Sequence, residues 1–162
     1  MTTAIRYHDI CMGHRVYGHE NKCSKLHGHN YRIHFEVVAK SETDAIGRVI
    51  DFSVIKSKLC DWLEIEWDHK LIMWEEDPLS AQIYLHFGSA SGIYIVPFNP
   101  TAENIAKYLV EVIGPLQLHG TGCKLISCTV EETRKCSARY DLEPGWEWDE
   151  IPPAPNIEDL PF

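Results

Sequence analysis

The 162-residue chain is 44% hydrophobic with a formal net charge of -9, long enough for one compact domain with a real core and short for two. The acidic balance, without any long Lys/Arg cluster, argues against nucleic-acid binding, because proteins that hold phosphate backbones show a basic face or stripe. No apolar run reaches the roughly 18 residues of a membrane span, so no membrane partner is expected. The cysteines at 11, 23, 60, 123, 128 and 136 follow an N-terminus, Met1 to Arg6, that lacks an apolar signal segment. That pattern points to reduced thiols and a cytoplasmic location.

Residues 3 to 16 alternate loosely between apolar and polar, and residues 29 to 39 alternate well. Tyr31, Ile33, Phe35 and Val37 fall on one face and Arg32, His34 and Glu36 on the other, which predicts two strands. Between them runs Lys22-Cys23-Ser24-Lys25-Leu26-His27-Gly28-His29-Asn30-Tyr31. On a strand His27 and His29 share a face and can point together at a metal, with Gly28 keeping the face between them clear. An antiparallel hairpin returns His14 as a third imidazole, which completes the three-ligand, open-position pattern of catalytic zinc. Cys23 leaves an alternative open. As a fourth ligand it would close the site into a structural centre that does no chemistry.

The turn Asp44-Ala45-Ile46-Gly47 leads to Val49-Ile50-Asp51-Phe52, and Ser53 is a suitable N-cap for a helix carrying Val54, Ile55, Leu59, Trp62 and Leu63. This helix should end near Glu66. Cys60 within it, and Cys123 and Cys128 in a later strand-like stretch, read as small buried hydrophobes. Trp67-Asp68-His69 then places a carboxylate beside an imidazole, an arrangement that orients the ring for proton delivery, although a solvated helix exit gives the same pair. Asp77-Pro78 starts a short helix with Leu79, Ile83 and Phe87 at four-residue intervals and Gly88 as its stop.

Residues 93 to 98 have strand character, limited to a sheet edge by Pro97. Thr101 caps a helix whose Ile105, Tyr108, Leu109, Val112 and Ile113 form one stripe and which Gly114-Pro115 should end. Glu103 beside the cap is an acid favoured by the helix dipole. Residues 121 to 131 and 136 to 141 read as a second strand pair. Glu131-Glu132-Thr133, at the end of its first strand, offers either a carboxylate clamp for two parallel N–H donors or two exposed strand-end acids. From Leu142 the chain is Pro-rich and acidic, with Trp146 and Trp148 in polar sequence, and reads as a tail that is disordered or docks by its tryptophans. The domain is therefore assigned to residues 1–141 and the tail to 142–162.

Taken together and in order, Gly13-His14-Arg15, Cys23 with His27-Gly28-His29-Asn30-Tyr31, Val49-Ile50-Asp51-Phe52, Asp68-His69, Asn99-Pro100-Thr101-Ala102-Glu103-Asn104 and Glu132-Thr133 resemble the 6-pyruvoyltetrahydropterin and 6-carboxytetrahydropterin synthase family. The resemblance implies an α+β tunnelling fold: a four-stranded antiparallel sheet with two main helices on one face, assembling as a homo-oligomeric barrel of hexameric or similar size. It implies Zn2+ at His14, His27 and His29, catalysis by Cys23 with Asp68 and His69, and substrate contacts from Glu132, Thr133, Thr101 and Glu103. The implied substrate is 7,8-dihydroneopterin triphosphate. The short spacer Ser24-Lys25-Leu26 between Cys23 and His27 resembles the bacterial 6-carboxytetrahydropterin branch of queuosine synthesis, with the pyruvoyl enzyme and a non-catalytic pterin or metal binder as alternatives. Lys22, Lys25, Arg134 and Lys135 flank these motifs as candidates for offsetting the triphosphate charge. The stretch from Lys70 to Phe98 is longer than in compact members.

Overall fold

The alternation in residues 29–39 becomes the centre of a sheet. A computed structural model describes residues 1–143 together with 145, 146 and 148. Its strands are β1 (Ala4–His14), β2 (His27–Ala39), β3 (Leu71–Trp74), β4 (Ile93–Val96), β5 (Cys123–Thr133) and β6 (Cys136–Asp141), in the spatial order β4-β3-β1-β2-β5-β6. Tyr31, Ile33, Phe35 and Val37 are all fully buried, whereas Arg32, His34 and Glu36 stand on the opposite, polar face.

The four-stranded antiparallel sheet implied by the resemblance is present as β1, β2, β5 and β6. It is part of a larger one. β3 and β4 extend it to six strands, β3 running parallel to β1 and β4 parallel to β3. Leu71-Ile72-Met73-Trp74 is a short apolar run without alternation, as expected of a strand covered on both sides. Pro97 follows directly after β4, which is an edge strand, as its sequence requires.

Among the described residues three main helices accompany the sheet. Helix α1 (52–66) consists of Phe52–Ile55, a π turn at Lys56–Cys60 and Asp61–Glu66. Its N-cap is Asp51 rather than Ser53: the Asp51 carboxylate accepts the Ser53 N–H at 2.8 Å, and Ser53 is already inside the first turn. Helix α2 is Pro78–Phe87, capped by Asp77 and stopped at Gly88, whose φ of 55° suits glycine. The expected stripe of Leu79, Ile83 and Phe87 does not enter the core. Ser80 is the buried residue of this helix, and Phe87 is 66% exposed.

Helix α3 (102–118) runs Ala102–Tyr108, a π turn at Leu109–Ile113, and Gly114–Leu118. It is capped by Thr101, whose hydroxyl accepts the Asn104 N–H at 3.3 Å. Gly114-Pro115 does not end it. Pro115 occupies the first turn of the last segment, where a missing N–H is tolerated, and Gly114 lets that segment approach β5 closely. A Cβ on Gly114 would stand 2.8 Å from Cβ of Leu125. Faces of α1 and α3 cover the apolar face of the sheet, so that Ile55, Leu59, Leu63, Trp67, Ile105, Leu109 and Val110 join Ile33, Phe35 and Val130 in one core. Each such aliphatic or aromatic side chain contributes about 1.5–3 kcal/mol by leaving water.

Among the described residues no helix is long and apolar enough to cross a membrane. The expectation for the tail falls largely on residues 144, 147 and 149–162, which lie outside the described residues. Trp146 itself lies under the Lys124 ammonium, 4.6 Å from its ring centroid, with the Trp148 ring 5.3 Å away.

Burial divides the thiols. Cys60, Cys123 and Cys128 are buried, and burial pushes all three thiols up, whereas Cys11 and Cys136 are exposed and Cys23 is intermediate. A colorimetric thiol titration of native protein should therefore detect Cys11, Cys23 and Cys136 rapidly and the other three only after denaturation. Gly114→Ala should lower the denaturation midpoint by the equivalent of about 1–3 kcal/mol through overpacking against Leu125, read by urea unfolding.

Candidate active site

Strand pairing assembles three histidines. In the antiparallel register His14 stands opposite His27 and Met12 opposite His29, so the rings of His14, His27 and His29 emerge on one face at the end of the hairpin. One nitrogen of each ring lies within 4.8 Å of the others. The sulfur of Cys23 is not part of this cluster, which disfavours the closed four-ligand alternative.

Backbone carbonyls fix the tautomers. Nδ1 of His14 lies 2.7 Å from the Pro100 carbonyl and Nδ1 of His27 lies 2.7 Å from that of Lys25. A carbonyl only accepts, so each Nδ1 carries the proton and each Nε2 presents a lone pair. Nε2 of His14 and Nε2 of His29 are buried without a hydrogen-bond partner, a costly arrangement unless another group takes the lone pair. Burial holds the His14 and His29 imidazoles below their usual range, against the opposing influence of Glu132. His14 and His29 are thus favoured in the neutral form that a transition metal requires, and the three-imidazole set fits Zn2+.

Glu132 faces the cluster. Its Oε1 lies 3.4 Å from Nε2 of His14 and 3.9 Å from Nε2 of His29, and it accepts the Tyr31 hydroxyl at 3.4 Å. Burial, Glu132 and Cys23 together push the Tyr31 phenol up. Glu131 points the other way, pairing with His34 at 2.7 Å on the polar face. A register shift in β5 between Glu131 and Thr133 accompanies this division.

The Asp68 carboxylate and the His69 backbone are tied to the end of β1, while the His69 ring stays solvated. Asp68 accepts the Cys11 N–H at 2.8 Å through Oδ1, its Oδ2 lies 2.6 Å from Nδ1 of His69, and the His69 N–H donates to the Cys11 carbonyl at 2.7 Å. Burial alone raises the Asp68 carboxyl, but these hydrogen bonds outweigh it and hold it below the usual carboxylate range. Its stabilising effect is accordingly present at neutral pH and lost as pH falls through the lowered value. His69 has a φ of 58°, a left-handed conformation uncommon outside glycine that the two-sided grip on Cys11 sustains. Its side chain is 80% exposed.

An open cavity of about 750 Å³ adjoins the histidines, and its lining includes His29, His69, Lys70, Glu132, Thr133 and Arg134. Gly13 and Gly28, paired across β1 and β2, form part of its floor. This revises the role expected of Gly28: its missing side chain clears the face opposite the histidines, where a Cβ would stand 3.2 Å from the Met12 carbonyl oxygen.

The family model described as 6-pyruvoyl tetrahydropterin synthase matches residues 4–143. The chain belongs to this family. It is 38% identical over 137 residues to the 6-carboxy-5,6,7,8-tetrahydropterin synthase of Rickettsia typhi, covering 84% of this chain and 97% of that protein. It is 30% identical to a probable 6-carboxy-5,6,7,8-tetrahydropterin synthase of Halobacterium salinarum, covering 80% and 79%. Among solved structures, an uncharacterized protein from Wolinella succinogenes superposes with a TM-score of 0.75 at 24% identity over 88% of this chain and 98% of that one. The 6-pyruvoyl tetrahydropterin synthase of Caenorhabditis elegans superposes with a TM-score of 0.59 at 22% identity, covering 86% and 94%.

Within this family member the remaining expected residues are dispersed. Cys23 lies on a 3-10 turn (Lys22–Ser24) whose Cys23 carbonyl accepts the Val16 N–H at 2.8 Å. It does not line the cavity. Thr101 and Glu103 sit at the start of α3, also outside the lining, with Glu103 exposed. Of the four candidate cations only Arg134 lines the cavity; Lys22, Lys25 and Lys135 do not. Lys70, Ser91, Cys11 and Asn30 line it without having been singled out, and Cys11 donates its thiol to Asn30 at 3.2 Å. The opposed glycines Gly13 and Gly28 were the available signal.

The purified chain should hold about one zinc, and His27→Ala or His29→Ala should lose it, whereas Cys23→Ala should retain it because its sulfur stands outside the cluster. Metal analysis after gel filtration checks this ordering.

Proposed function

We propose that the chain is a zinc-dependent 6-carboxy-5,6,7,8-tetrahydropterin synthase that converts 7,8-dihydroneopterin triphosphate and water to 6-carboxytetrahydropterin, acetaldehyde and triphosphate, in deazapurine and queuosine synthesis. The observation that carries the reading is the cluster of three imidazoles, two of them with buried, unpartnered Nε2 atoms, beside a carboxylate-bearing cavity. The names of its curated relatives support the carboxy product over the pyruvoyl one.

His14, His27 and His29 would hold Zn2+, which supplies Lewis acidity toward the substrate side-chain oxygens. Cys23, which stands outside the cavity lining, is the proposed base for the proton on the adjacent carbon. His69, oriented by Asp68 through the 2.6 Å contact, returns a proton from its exposed position at the cavity wall. Glu132 accepts hydrogen bonds from the amide and amino edge of the pterin, so that ring binding positions the reacting carbon. Thr133 flanks Glu132 in the cavity wall, and Thr101 and Glu103, which stand outside it, are proposed to contact the part of the substrate that extends beyond the cavity. Arg134 and Lys70 place two cations in the cavity wall of an otherwise acidic chain, where a triphosphate is held by local rather than net charge. The working form is a homo-oligomer, a reading supported by the exposed Tyr84, Leu85 and Phe87 of α2.

Incubation with dihydroneopterin triphosphate should yield 6-carboxytetrahydropterin and acetaldehyde by mass spectrometry. A product that keeps all its side-chain carbons after triphosphate loss would assign the pyruvoyl reaction, and pterin binding without turnover would assign a binding protein. Glu132→Gln should weaken pterin binding by about ten- to a hundredfold, the loss of a charge-assisted bond worth roughly 1.5–3 kcal/mol. Glu131→Gln should leave it unchanged, because Glu131 is committed to His34 on the other face.

A further inference from the structure

The segment that follows His14 is tied at two points to the excursion spanning residues 71 to 98. Arg15 Nε lies 2.8 Å from Oδ2 of Asp77, a charge contact outside hydrogen-bond geometry that is the partner of both buried atoms, the Asp77 side chain being 1% exposed and that of Arg15 20%. The Tyr17 N–H donates to Oδ1 of Asn99 at 3.0 Å, and Nδ2 of Asn99 donates back to the Tyr17 carbonyl at 2.8 Å. The Arg15 guanidinium also stands over the Tyr17 ring at 5.5 Å, and that ring meets Trp74 at 6.2 Å.

These ties bracket the part of the excursion that carries α2 and β4. Asp77 stands just after β3 and caps α2, accepting the Leu79 N–H at 2.9 Å through Oδ1. Its other oxygen is left to Arg15. Asn99 stands just after β4 and immediately before Pro100, the residue whose carbonyl accepts the His14 Nδ1–H hydrogen bond at 2.7 Å. The Asn99 carbonyl is in turn held by the Asn104 side chain at 2.9 Å. The residue beside Pro100 is thus held directly by Tyr17 and Asn104, and the start of α2, further back in the same stretch, is held by Arg15, the residue that follows His14.

We propose that the Arg15–Asp77 ion pair is a positioning device for the metal ligand His14: it fastens the excursion so that the Pro100 carbonyl holds the ring in the tautomer and orientation that present Nε2. This rests on the three-histidine reading of the metal site. Removing one partner leaves a desolvated charge, which the segment relieves by moving to admit water. Partners that orient a metal-bound imidazole from behind are typically worth 10–100-fold in metal affinity.

The test measures Zn2+ affinity by competition with a chromophoric chelator, and the visible absorption of the Co2+-loaded protein, in the unaltered chain, Asp77→Asn, Arg15→Gln and the double variant. Each single change should weaken Zn2+ binding about 10–100-fold and shift the Co2+ bands. The double variant should lose little more than either single one, because both remove the same pair. Gly114→Ala, which strains the far end of β5 from Glu132, should lower stability without altering affinity or bands. If a neutralised variant fails to fold, Arg15→Lys keeps the charge, and it should still shift the Co2+ bands and lose affinity by about tenfold. Unchanged affinity and bands in foldable variants of a chain that binds metal would overturn the inference alone. An unaltered chain that takes up neither ion overturns the metal-site reading and the inference with it.

Discussion

The register of β1 on β2 is the constraint on which the site depends. With His14 opposite His27 and Met12 opposite His29, the three imidazoles share a face with Tyr31 and Ile33, and that face is pinned by the core beneath it. Slipping β1 by one residue would turn its inward set toward the polar side, carrying Ile10, Met12 and His14 out together. The burial of Ile10 and Met12, the two inward residues just before it in the strand, thus holds the metal ligand His14 in place. Stability and ligand geometry are the same fact at this hairpin.

The site also exploits the place where the two faces of the sheet meet. Within the sheet, alternation keeps the histidine face and the polar face apart. Near the strand ends the residues are small, Gly13 against Gly28, and the cavity reaches around the rim to include His29 and Glu132 from one side and Cys11 and Asn30 from the other. The turn that carries Asp68 and His69 closes this rim by gripping both backbone groups of Cys11. Groups on opposite faces of the sheet can in this way address one bound molecule.

Much of this was legible in the sequence because it rests on short-range periodicity. The alternation through Tyr31, Ile33, Phe35 and Val37, the His27-Gly28-His29 spacing, and the caps at Asp77 and Thr101 are local patterns that survive folding unchanged. What was not legible depends on partners distant in the chain. Gly114-Pro115 carries a stop signal, yet tertiary packing against Leu125 overrides it. Leu71-Ile72-Met73-Trp74 becomes a strand only because the end of β1 offers it a parallel edge. Asp51 displaced Ser53 as cap because both are good capping residues two positions apart, and propensity does not separate them. Lys70 and Cys11 carry no motif of their own; their place in the cavity follows from the register of other strands.

The wide π turns in α1 and α3 have a consequence for how these helices are encoded. Ile55, Leu59, Leu63 and Trp67 recur every four residues and are all buried, but in a regular α-helix four residues overshoot one turn by about 40°, so three such steps would rotate Trp67 by roughly 120° from Ile55. The π turn at Lys56–Cys60 lets the helix underwind and cancels part of that drift. The azimuth at which the chain leaves α1 is set there, several residues before Asp68 and His69. A one-residue deletion in that turn would leave each helical half intact while changing their phase, so the direction in which the exit presents its acid–base pair is stored in a winding defect.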